Sequence, residues 1–88
     1  MKYYIFSKEL VTIAYVLIKS DLGAEEKVMA ELEKIEQVSK VERTFGDYDM
    51  VVKMESEHIE KIRETISWNI KKLDKVRSTL TLVQKEEK

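Results

Sequence analysis

The apolar positions of the chain fall into alternating blocks of two periods. Val11–Lys19 (VTIAYVLIK) is dense in β-branched and aromatic residues and reads as a strand. Val11, Ile13, Tyr15 and Leu17 line one face, and Thr12, Ala14, Val16 and Ile18 line the other. Both faces are mostly apolar, so both call for cover. In a small domain helices can cover one face, and the second is left to another chain. Ser20–Gly23 reads as a turn. A helix is expected over Ala24–Glu36, where Val28, Leu32 and Ile35 form one stripe and Glu25 and Glu26 suit the positive end of the helix dipole. Lys40–Phe45 and Tyr48–Met54 read as strands joined at Gly46-Asp47, with a loop a residue or two longer than that pair. Ser56 is placed as the N-cap of a second helix over Glu57–Leu73. There Ile59, Ile62, Ile66, Ile70 and Leu73 fall within roughly 40° of one line at about 100° per residue. Lys75–Val83 is the fourth strand, and the charged tail beyond it is expected to fray.

The order β-α-β-β-α-β predicts a ferredoxin-like α+β sandwich: an antiparallel sheet with two helices on one face and the other face left for a partner. The halves echo each other, since Lys40-Val41-Glu42-Arg43-Thr44-Phe45 resembles Lys75-Val76-Arg77-Ser78-Thr79-Leu80, 35 positions later, and each copy follows a helix. Residues 1–10 stand apart as an arm or extra strand, 11–84 form the domain, and 85–88 are the tail. Tyr3, Tyr4, Ile5 and Phe6 suit an added edge strand, or an arm on a neighbour, better than a nucleic-acid arm, because only Lys2 and Lys8 accompany them.

Length and composition narrow the function. A chain of 88 residues supports one thin core, and with no cysteine there is no disulfide or thiolate chemistry. Oligomerisation is then the expected source of extra stability. The 16 basic and 17 acidic residues balance and are interspersed, which argues against a phosphate-binding surface. No stretch is long and apolar enough for a membrane span and the first ten residues do not resemble a signal peptide, so a cytoplasmic location is expected. No metal site or cofactor is expected: the single histidine, His58, reads as a solvated helix residue, and the serines lack an activating histidine pattern. Asp21, Asp47 and Asp49 make a weak carboxylate set, because Asp47 and Asp49 alternate around Tyr48.

Two features stand out. Gly46-Asp47-Tyr48-Asp49 is not core material, since carboxylates resist burial. It reads either as a solvated turn or as the lip of a small-ligand site. In the second reading Gly46 admits a ligand to the backbone amides, Asp47 or Asp49 accepts from an ammonium, and Tyr48 offers a ring with a polar tip. Thr79 and Thr81, on one face of the fourth strand, add hydroxyls, although threonine suits strands in any case. Such a set suits a zwitterion. Trp68 lies about 180° from the isoleucine stripe, beside Lys61, Glu64 and Lys72; either the second helix packs more broadly than its stripe, or Trp68 is an oligomer contact.

These features resemble the ligand-sensing C-terminal domain of the Lrp/AsnC transcription regulators, the regulation of amino acid metabolism domain. The resemblance runs from about Val11 to Val83. It rests on the element order, on the hairpin Gly46-Asp47-Tyr48-Asp49 leading into Met50-Val51-Val52, and on the helix leading into Lys75-Val76 and Ser78-Thr79-Leu80-Thr81. It implies pairing through the sheets into dimers, further assembly into rings, and amino-acid effectors bound near contacts between dimers. Gly46, Asp47, Tyr48 and Asp49 carry over as effector residues from the hairpin, and Thr79 and Thr81 from the fourth strand. Ten residues ahead of the first strand cannot hold a helix-turn-helix domain, so the resemblance implies a stand-alone sensing domain, with a full-length relative as a possible partner. The expectation is a non-enzymatic effector-binding module in transcription regulation. The competing readings are an enzyme of the dimeric α+β-barrel type and a structural assembly module without a ligand.

Overall fold

In the computed structural model the described residues are 11–84. They form β1 (Thr12–Ser20), α1 (Glu25–Glu33), β2 (Val38–Arg43), β3 (Met50–Ser56), α2 (Ile59–Thr65) continued by a π-helical turn (Ile66–Ile70), and β4 (Val76–Val83). The sheet order is β2-β3-β1-β4 and every neighbour is antiparallel. This is the ferredoxin-like α+β fold. The arm and the tail lie outside the described residues.

One face of the sheet makes the core. Ala14, Val16 and Ile18 of β1 and Met50, Val52 and Met54 of β3 pack under Val28 and Leu32 of α1 and Ile62, Ile66 and Ile70 of the second helical segment, all buried. Burial of each large aliphatic side chain is worth about 1.5–3 kcal/mol. The opposite face carries Ile13, Tyr15 and Leu17, with Val51 beside Leu17 on one side and Leu80 on the other. Lys53 and Glu55 of β3 and Lys40 and Glu42 of β2 make the rest of that face polar. Nothing among the described residues covers it, so its apolar part is half-buried or exposed.

Several boundaries differ from the sequence pattern. The helix expected to run to Glu36 stops at Glu33, and Val38 N–H donates to the Ile35 carbonyl as the chain turns into β2. Strands β2 and β3 begin two residues either side of expectation, so Thr44–Asp49 is all loop and Tyr48 and Asp49 belong to the turn. Ser56 is not the N-cap. It ends β3, its Oγ accepts from the His58 N–H at 3.2 Å, and α2 starts at Ile59 with His58 in the cap position. The π turn, closed by Lys71 N–H to the Ile66 carbonyl at 2.8 Å, takes the place of α-helix after Thr65.

Candidate functional site

The hairpin Thr44–Asp49 and the β1–α1 turn meet at one end of the sheet, and Asp49 joins them. Its N–H donates to the Ile18 carbonyl at 2.8 Å, and its own carbonyl accepts from Thr44 N–H at 3.0 Å. Its Oδ2 accepts the Ser20 N–H at 2.8 Å and lies 3.3 Å from the Ser20 hydroxyl. Strand β1 therefore extends to Ser20, which is buried. Thr44 Oγ1 donates to the Tyr48 carbonyl at 2.7 Å and closes the loop. Gly46 sits at φ 103°, a backbone conformation that L side chains rarely adopt.

The hairpin thus divides its groups. Asp49 faces inward and is committed to Ser20 through Oδ2. Gly46 and Asp47 are exposed, and Tyr48 is half-buried with Lys19 Nζ 5.8 Å from its ring centroid. Leu22 and Phe45, one on each loop, are exposed at 98% and 104% and form an apolar margin to the same end. Asp21, on the turn, lies 3.7 Å from Arg77 Nε.

Thr79 and Thr81 do share a face, opposite Ile18 and Val16 on the helix side of the sheet. They are separated from the hairpin by the width of β1, because β3 and β4 flank β1 on opposite sides. Thr79 is half-buried and Thr81 exposed. Trp68 is 68% exposed on the π turn, with Lys72 Nζ 4.8 Å from its ring centroid. His58 is exposed at the N-terminus of α2, and no group of three potential metal ligands occurs among the described residues. No described helix is long and apolar enough to cross a membrane.

Sequence reasoning missed Ser20, Thr44, Lys19 and the two exposed apolar side chains. A serine ending a strand and a threonine before a Phe-Gly pair carry no signal until the register sets them beside Asp49. Leu22 and Phe45 each precede a glycine at positive φ, a pattern visible in the sequence. The uncovered sheet face also holds a recess of about 270 Å³ lined by Tyr15, Lys40, Glu42, Val51 and Lys53. The Glu42 carboxylate, 2.9 Å from Lys40 Nζ, raises the Lys40 pKa above its ordinary value.

Residues 13–88 match the Lrp/AsnC ligand binding domain, and the chain belongs to that family. It is 31% identical over 71 residues to the HTH-type transcriptional regulator FL11 of Pyrococcus furiosus, covering 81% of this chain and 46% of the relative. The chain spans less than half the length of the curated relatives it matches. Among solved structures it is similar to FFRP-DM1, with a TM-score of 0.80, 26% identity, and coverage of 83% of this chain and 97% of that one. It shares its fold with the transcriptional regulator NMB0573 of Neisseria meningitidis in complex with L-Met, with a TM-score of 0.81, 14% identity, and coverage of 93% and 55%.

Proposed function

We propose that the protein is a non-enzymatic sensor that binds an amino acid at the hairpin end of the sheet and acts in transcription regulation through its assembly with other copies or with a full-length relative. The division of the hairpin carries this reading. Asp49 is spent on holding the loop to β1, whereas Gly46 and Asp47 are exposed, the Asp47 carboxylate has no described partner, and the half-buried Tyr48 ring has only Lys19 beside it. Backbone amides beside Gly46 suit a carboxylate, the Asp47 carboxylate suits an ammonium, and the Tyr48 ring suits an aliphatic side chain. Family membership supports a small ligand, and a neighbour of the same fold is a complex with L-Met.

Assembly belongs to the same proposal. The uncovered sheet face carries Ile13, Tyr15, Leu17, Val51, Leu80 and Leu82, an apolar band that two copies would bury against each other. Leu22, Phe45 and Trp68 lie elsewhere on the surface and suit contacts between such dimers. Ligand bound beside Phe45 would then favour one assembly over another, the differential affinity that regulation requires.

A thermal-shift panel of the twenty amino acids at millimolar concentration tests the proposal. A ligand at 100 times its Kd adds about 2.7 kcal/mol, a shift of several degrees. A shift with one amino acid or one class, lost in Asp47→Asn and Tyr48→Ala, is expected. A flat panel on the assembled protein would overturn the sensor reading.

A further inference from the structure

The two edges of the sheet are built differently. Strand β2 has six residues, carries Lys40, Glu42 and Arg43, and slips register between Val38 and Lys40. Charge and a register break are the usual means by which an edge discourages strand addition. Strand β4 has eight residues, and from Ser78 to Val83 it is uncharged and in regular register with β1. Its charge, Arg77, is drawn toward Asp21. Among the described residues nothing pairs with the outer side of β4.

The register identifies the free groups. Gln84 N–H donates to the Ile13 carbonyl at 2.8 Å, one step beyond the Ala14–Val83 pair. Opposed residues in an antiparallel ladder alternate between bonded and non-bonded pairs. Leu82, Leu80 and Ser78 therefore turn their backbone groups to β1, while Val83, Thr81 and Thr79 turn theirs outward. The Asp49 N–H bond to the Ile18 carbonyl agrees, since it puts the even residues of β1 toward β3. On the sheet faces flanking this edge, Leu80, Leu82 and Val83 are 44%, 51% and 51% exposed.

We propose that the free edge of β4 receives the β4 of a second copy, paired antiparallel about a two-fold axis at Thr81, so that two sheets join into one. Thr81 then faces its counterpart, and Thr79 faces Val83 of the second copy, with their outward N–H and C=O groups exchanging bonds. On the open face Leu80 lies across from Leu82 of the second copy, an apolar pair repeated by symmetry. The stretch from Ser78 to Val83 is neutral, so no like charges meet within it. This contact uses the edge of the sheet and leaves the face free, and it does not depend on effector binding.

The chain has no cysteine, which makes a single introduced thiol a clean reporter. Thr81→Cys is expected to give a covalent dimer on mild oxidation. Face-to-face pairing cannot produce that cross-link, because Thr81 lies on the helix side. Thr81→Pro removes an outward N–H and leaves the bonds to β1 intact, as edge strands allow. It is expected to keep its circular dichroism and to halve the mass seen by light scattering at matched concentration. Should it fail to fold, Thr81→Lys sets two ammonium groups against each other at the axis and is read in the same way. An unchanged mass without a cross-link overturns the proposal, as does a wild-type chain that stays monomeric. A fall in mass without a cross-link assigns the edge to another segment and overturns β4–β4 pairing.

Discussion

Asp49 shows how one side chain can be visible in the sequence while its structural partner is not. A carboxylate in a Gly-Asp-Tyr-Asp run looks available to a ligand, and its residue type was legible, although the pattern put it at the start of a strand and not in the turn. Its partner Ser20 lies 29 residues away, and no local pattern reports it. Asp49→Ala is expected to leave the part-buried Ser20 N–H unpaired and to cost about 1–3 kcal/mol, measured by urea unfolding. Asp49→Asn keeps an acceptor oxygen and should recover much of the loss. Gly46→Ala meets no atom within 4 Å, so its cost is that of the left-handed backbone alone, about 1–2 kcal/mol.

At the level of elements the hydrophobic period was a sound guide to type and a poor one to ends. The isoleucine stripe predicted the second helix, and Ile62, Ile66 and Ile70 are buried as the 3.6-residue period requires. The π turn was not legible, because the stripe reads the same on both sides of it. Nor was the part-buried tie from Thr65 Oγ1 to Gln37 Oε1, 3.0 Å, which holds α2 to the α1–β2 connection. Ile70 is fully buried at the end of the π turn, and Ile70→Ala is expected to cost about 2–5 kcal/mol by thermal or denaturant unfolding. The β2–β3 boundaries moved because the Thr44–Asp49 bond closes the ladder early, and that bond depends on where β1 ends.

At the largest scale the decisive feature is a sheet with one face covered among the described residues. Both apolar faces of β1 predicted it from the sequence, and the register confirms which residues share each face. Leu17→Glu puts a charge in the middle of the open face without touching the core. The chain should remain folded by circular dichroism and its mass by light scattering should fall. The same variant would have no effect if the face stays in water. Read beside the Thr81 variants, it separates assembly through the face from assembly through the edge.

Hydrophobic period and punctuation determined the element order, the buried stripes and the class of fold, because these follow from side-chain spacing along the chain. They also singled out the Gly46–Asp49 hairpin and Trp68, whose residue types do not suit a core. Only the tertiary structure decided that Asp49 braces the loop, that Thr79 and Thr81 stand across β1 from the hairpin, that Leu22 and Phe45 lie on the two loops at one end, and which edge of the sheet is unpaired among the described residues. Each of these depends on strand order and register, which bring together residues that local periodicity cannot relate.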